Sequence, residues 1–171
     1  MTKLLKKNYY PILLILILVF SRLIPHPPNF TPIITVALLS GYIFKNLKLS
    51  LFVLLVSMLL SDIFIAFYTN MIFVYISLIL ICLISNKVIA NLDYKNLFLF
   101  SLVGSILFFL ITNFGTWLLG GLYEKNISGL INCYFLAIPF FKNTIISTLL
   151  FSYLSFLIIK LPLYKKSSLE I

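Results

Sequence analysis

Long apolar runs, separated by short polar segments, follow one another along the whole chain. A bilayer core about 30 Å thick is crossed by a helix of roughly 20 apolar residues. The pattern therefore predicts six transmembrane helices. We place them at residues 9–24, 31–44, 49–67, 71–90, 97–119 and 144–161.

Prolines mark several of the predicted helix ends. Thr31 is expected to cap predicted helix 2, with Pro32 in its first position. Pro162 is expected to stop predicted helix 6. The apolar segment 128–141 is predicted to be broken at Pro139, since proline donates no backbone hydrogen bond.

Composition indicates an integral membrane protein. The 171 residues are 62% hydrophobic and 10% charged, with a mean hydropathy of +1.15, whereas soluble domains are about 25% charged. We expect a single integral membrane domain over residues 1–171, folded as a compact all-α bundle of six transmembrane helices. The first apolar run begins like a signal peptide. No small-x-small cleavage site follows Phe20, so we expect this run to be retained as helix 1.

The net charge of +9 indicates membrane orientation rather than nucleic-acid binding, because the lysines lie in the gaps between apolar runs. Six spans place both termini on one side. Ten basic residues would lie on that side: Lys3, Lys6, Lys7, Lys45, Lys48, Lys87, Lys95, Lys160, Lys165 and Lys166. Three would lie opposite: Arg22, Lys125 and Lys142. The positive-inside bias predicts cytoplasmic termini in a multi-pass protein of the bacterial plasma (inner) membrane.

Polar side chains are scarce, and many of them fall on the predicted outer side. The proline-rich segment 22–32 contains Arg22, Asn29 and His26, the only histidine of the chain. Asp62 is the only acid inside a predicted span, about one turn from its end, where a charge costs less than at the bilayer centre. Asp62 needs a partner, and Arg22, His26 and Lys142 are predicted at the same depth. An internal salt bridge and a ligand-binding role for Asp62 both stay open.

Asn113 and Trp117 share one face of predicted helix 5, being four residues apart. An amide in lipid requires a hydrogen-bond partner, whereas an indole at this depth can act as an interfacial anchor. The candidate substrate-binding residues are Arg22, His26, Asn29, Asp62, Asn113, Trp117, Lys142 and Asn143. Together they predict an outward-opening cup for a small polar or zwitterionic solute, or one with a carboxylate.

The chain contains no His-Glu-x-x-His, Gly-x-Ser-x-Gly or phosphate-binding glycine motif. Cys82 and Cys133 are far apart in sequence and predict neither a disulfide nor a metal site. We expect no enzyme activity, no catalytic residues, no metal and no cofactor. Three hypotheses follow. They are a solute-binding subunit, a membrane enzyme with His26 and Asp62 as an acid–base pair, and a structural or assembly protein.

Several segments carry a resemblance to known transport proteins. They are residues 22–32, Ala37-Leu-Leu-Ser-Gly-Tyr42, Leu59-Leu-Ser-Asp62, Thr112-Asn-Phe-Gly115 with Trp117, Gly120-Gly121, and Ala137-Ile-Pro-Phe-Phe-Lys-Asn-Thr144. The chain resembles the substrate-binding S components of energy-coupling factor (ECF) vitamin transporters. More closely, it resembles an uncharacterised bacterial family of transport proteins related to them.

The resemblance implies a six-helix binding subunit in the lipid bilayer. Such a subunit would capture a vitamin-like solute under a lid formed by the loop between helices 1 and 2. It would then dock on an ECF transmembrane coupling protein with two ATPases. Helix 1 departs from the S-component pattern, because Ile12–Val19 contains no small residue for an Ala-x-x-x-Ala docking stripe.

Overall fold

A computed structural model describes residues 9–89 and 93–167, with side chains described over 15–89 and 93–158. Within these residues the chain forms seven helices and no strand. The helices are α1 (Tyr9–Leu23), α2 (Ile33–Phe44), α3 (Leu47–Ile65), α4 (Met71–Val88), α5 (Tyr94–Leu119), α6 (Ile127–Leu136) and α7 (Ile138–Ser167).

Four helices, α3, α4, α5 and α7, are long and apolar enough to cross a membrane. The helices α2 and α6 are also apolar but shorter, with 12 and 10 residues. The prediction of an all-helical chain with membrane-spanning helices is confirmed. The predicted end of helix 4 at Ala90 lies outside the described residues, as do Lys3, Lys6 and Lys7.

Side-chain caps fix three helix starts that the apolar pattern located less well. Asn46 accepts a hydrogen bond from the backbone N–H of Leu49, so α3 begins two residues earlier than predicted. Asp93 and Asn126 cap α5 and α6 in the same way. The predicted cap at Thr31 is wrong. Pro32 occupies the cap position of α2, and no side chain bonds to that helix end.

Two predictions about prolines are also wrong. The apolar segment 128–141 is interrupted, as predicted, but not at Pro139. Instead α6 ends at Leu136, Ala137 is a single turn residue, and α7 begins at Ile138. Pro139 thus lies in the first turn of α7, where a missing N–H costs no helical hydrogen bond. Pro162 does not end the last helix, since α7 continues to Ser167.

The helix α2 lies at the centre of the bundle, with every residue from Ile33 to Gly41 buried. Hydrogen bonds tie it to its neighbours. Thr35 Oγ1 donates to the carbonyl of Thr148 in α7 at 3.2 Å, and Ser85 of α4 donates to the carbonyl of Leu38. A Cβ atom on Gly41 would lie 2.8 Å from the carbonyl oxygen of Cys82 in α4. Gly41 therefore permits a close approach of two backbones.

Small residues line the buried faces of the other helices as well. The hydroxyls of Ser57, Ser61 and Ser105 are buried, and each donates to the carbonyl four residues earlier in its own helix, at 2.6, 2.9 and 2.8 Å. These side chains therefore occupy little space between helices, and the hydroxyls of Ser57 and Ser105 need no partner across the interface.

Candidate functional site

A cavity of about 650 Å³ opens at one end of the bundle. Its wall is built where α1, α3 and α5 end and where α2, α4 and α7 begin, with α6 and three connecting segments completing it. A volume of roughly 300–1,000 Å³ is typical of small-molecule sites. The fold thus places a ligand-sized space where most of its polar loops meet.

The wall combines an apolar surface with many uncharged polar groups. Apolar side chains such as Ile33, Ile34, Phe108 and Phe140 contribute part of it. The uncharged polar members of the wall are Asn29, Thr31, Tyr68, Asn70, Thr112, Asn113, Thr116, Tyr123, Thr144 and Ser147. Among the described wall residues, the basic ones are Arg22 and His26, and none is an aspartate or a glutamate.

Arg22 is the charged residue of this wall, and it forms an ion pair with Asp62, which lies behind the wall. Its Nη2 lies 2.6 Å from Oδ1 of Asp62. Nη1 donates to Ser61 and, at 3.3 Å, to the carbonyl of Met58. The Asp62 side chain is 0% exposed, and Oδ2 accepts a hydrogen bond of 2.8 Å from the hydroxyl of Tyr75. The internal salt bridge between predicted helices 1 and 3 is confirmed.

Tyr68, in the connection between α3 and α4, lies beside this ion pair. Burial, and then the nearby negative charge of Asp62, raise the pKa of the Tyr68 hydroxyl above its ordinary value of 10.0. The hydroxyl therefore stays protonated at neutral pH. Two residues earlier, Ala66 adopts φ 106° and ψ 152°, a backbone conformation that side chains other than glycine rarely adopt.

The proline-rich segment is held against α7 rather than extended into solvent. The N–H of Phe30 bonds to the carbonyl of Pro27, and Asn29 has φ 61°, a left-handed conformation that asparagine tolerates. Asn143 Nδ2 donates to the carbonyl of Pro28 at 3.0 Å, and Ser147 donates to that of Asn29 at 3.3 Å. These bonds fix the segment as one side of the cavity.

His26 is an exposed member of this segment. Its Nδ1 lies 2.7 Å from the carbonyl oxygen of Ile24. A carbonyl only accepts, so Nδ1 carries the proton and donates it. In the neutral ring Nε2 is then left as a hydrogen-bond acceptor.

A polar contact between the α3–α4 connection and α5 shapes the opposite side. Asn70 Nδ2 donates to the carbonyl of Thr112 at 2.8 Å and to Thr116 Oγ1 at 3.0 Å. A Cβ atom on Gly115 would lie 2.2 Å from Asn70 Oδ1 and 2.3 Å from Cγ of Phe73. The absence of a side chain at Gly115 is therefore what allows Asn70 to reach α5.

The structure brings four of the eight predicted site residues to the cavity wall: Arg22, His26, Asn29 and Asn113. The other four lie outside the described wall, for different reasons. Asp62 is behind Arg22, and Asn143 supports the proline-rich segment. Trp117 donates its Nε1–H to the carbonyl of Glu124 at 2.9 Å, and Lys142 is exposed.

Sequence reasoning missed the threonines and asparagine that surround Asn113. Thr112 and Thr116 are four residues apart and so share one helix face with each other. This spacing was a usable signal. Asn70 offered none, because an asparagine in a short connection is typical of turns.

The described residues contain no group of three or more His, Cys, Asp and Glu side chains that could hold a metal ion. Within them, the carboxylate of Asp62 contacts Arg22 and Tyr75, whereas the His26 ring contacts a carbonyl of its own segment.

These features define a class: an all-helical protein with four helices long and apolar enough to cross a membrane, and a ligand-sized cavity at one end of its bundle. The sequence profile of DUF6580, a family of unknown function, matches residues 2–169. The chain therefore belongs to the DUF6580 family. No curated protein and no solved structure matches it.

Proposed function

We propose that this protein is a multi-pass protein of the bacterial plasma membrane that binds a small vitamin-like solute in the cavity. It serves as the substrate-binding subunit of an uptake system. In this arrangement the bundle has six transmembrane helices with both termini in the cytoplasm, an orientation favoured by ten basic residues on that side against three opposite. The cavity then opens outward, where the solute is captured.

The cavity itself is the observation that carries this proposal. Polar and charged groups are costly inside a bilayer and usually mark a substrate path or binding site there. Here they meet around about 650 Å³ of open space. A structural or assembly protein would need no such space, and a filled bundle would bury its apolar surface better.

We propose a binding role rather than a catalytic one. An acid–base pair of His26 and Asp62 requires the two side chains within hydrogen-bond reach of each other or of one water. Asp62 instead contacts Arg22 and Tyr75.

The energy for uptake would come from a separate ATP-driven coupling module. The sequence of this chain has no phosphate-binding glycine motif. The resemblance to S components of ECF transporters supports this assignment, and co-purification of a transmembrane coupling protein and ATPases with the tagged chain would test it.

Native mass spectrometry of the protein, extracted gently from its own membranes, tests the binding role. We expect the wild type to carry a co-purifying small molecule. Asn113→Phe would fill part of the cavity and remove that molecule, because Asn113 belongs to the wall. Asn132→Phe is the matched control, since Asn132 is exposed on α6 and outside the described wall. Equal retention by both variants would place the binding site elsewhere.

A further inference from the structure

The positive charge of Arg22 on the cavity wall is neutralised by a carboxylate that lies behind the wall. Arg22 belongs to the wall, and its guanidinium is 2.6 Å from the carboxylate of Asp62. Asp62 has no exposed surface and is outside the described wall. A bound molecule would therefore touch the positive end of a neutral pair and could not reach its negative end.

Arg22 retains hydrogen-bonding capacity despite this pair. A guanidinium has five N–H donors in a fixed fork. The contacts with Asp62, Ser61, the carbonyl of Met58 and the hydroxyl of Tyr68 use four of them and leave one. Arg22 can thus donate to a bound molecule without leaving Asp62. Asn113 of α5 adds an amide to the same wall.

We infer that the cavity takes a solute without net charge, which places a carbonyl or similar acceptor against Arg22 and an apolar body against Ile33, Ile34 and Phe108. This inference rests on the proposed solute-binding function and deepens it. It narrows the ligand class expected from the sequence, which included carboxylate-bearing and zwitterionic molecules.

This neutralised pair disfavours both an anionic and a cationic solute. A carboxylate entering the cavity would lose its hydration and meet a wall whose one arginine is already neutralised. A cation would find no carboxylate among the described wall residues. An uncharged acceptor loses little hydration and gains a hydrogen bond from a charged donor, which is stronger than a neutral one.

Three probes of one shape test the inference: 2-naphthamide, 2-naphthoate and 2-naphthylmethylammonium. The measurement is the thermal stability of the detergent-purified protein at pH 7.5 as a function of probe concentration, which yields apparent dissociation constants. We expect the amide to bind at least about tenfold more tightly than either charged probe, a preference of one unit on the logarithmic affinity scale. Equal or tighter binding of a charged probe overturns the inference and leaves the proposed function standing.

Absence of stabilisation by all three probes also overturns the inference. It overturns the proposed function only if the native mass spectrum shows no bound small molecule. A co-purifying molecule that is charged at neutral pH likewise contradicts the inference alone.

Asp62→Asn supplies the sharper comparison, because the amide keeps an acceptor for Arg22 and removes the negative charge. With an effective dielectric constant of about 20 and a separation of about 8 Å, loss of this charge changes monoanion binding by roughly thirtyfold. We expect the ratio of naphthoate to naphthamide affinity to rise by that factor.

Asp93→Asn is the control, since Asp93 is an exposed helix cap outside the described wall, and its ratio should not change. An unchanged ratio in monodisperse Asp62→Asn protein contradicts the inference. If that variant aggregates, the three-probe comparison on the wild type decides.

Discussion

Replacement of Asp62 by alanine would leave the guanidinium of Arg22 without its counter-ion. The pair is held at 2.6 Å, and the exposed fractions of its two side chains are 10% for Arg22 and 0% for Asp62. At such burial, solvent compensates only a small part of the remaining charge. Removal of one partner from a buried pair typically costs 3–5 kcal/mol, so we expect Asp62→Ala to lower the free energy of unfolding by about 4 kcal/mol.

Removal of both charges should cost less than the two single changes suggest. In the Arg22→Met, Asp62→Ala double variant no charge is left buried, and the methionine can pack where the arginine stem lay. We expect the double variant to be more stable than the sum of the single effects by about 3 kcal/mol.

Unfolding by SDS in mixed micelles, followed by the fluorescence of Trp117, measures these differences. Trp117 is the only tryptophan of the chain. Lys142→Ala is the control, because Lys142 is exposed, and its effect should be below about 0.5 kcal/mol. If Asp62→Ala costs less than about 1 kcal/mol, or if the effects are additive, the pair does not hold α1 to α3 as we describe.

Two further substitutions test the backbone around the cavity. Gly115→Ala should lower the free energy of unfolding by about 2 kcal/mol, since its Cβ atom would overlap Asn70 and Phe73; Gly121→Ala, with open space around it, should leave the same SDS midpoint unchanged. Ala66→Gly should raise that free energy by about 1 kcal/mol, because φ 106° strains any residue with a Cβ atom. A destabilised Ala66→Gly variant would show that the backbone there is not strained.

The sequence predicts the helical class of this fold well, because the length of the apolar runs and the scarcity of charge leave few alternatives. It predicts helix ends less well. Pro139 illustrates the reason: proline breaks a helix interior but is tolerated in a first turn, and the residue alone does not distinguish these positions. Only the end of α6 before Ala137 shows that Pro139 lies in a first turn.

The site is predictable only in part, because its geometry depends on contacts between distant segments. Arg22 and Asp62 were recognisable, since each is a charge at a helix end facing the same side. The contact of Trp117 with the carbonyl of Glu124 depends on how the loop after α5 folds back. No local sequence pattern predicts the path of this loop. The same holds for Asn70, whose position depends on Gly115 in another helix.

The serine-lined faces of the helices bear on how this protein can diverge. Ser57 and Ser105 bond to carbonyls of their own helices. Exchange of Ser57 or Ser105 for alanine or glycine breaks no hydrogen bond between helices, whereas leucine would force two backbones apart. Substitutions at these positions can therefore change the polarity of the side chain but not increase its volume. Related chains can therefore carry different small residues at these positions and keep the same helix packing.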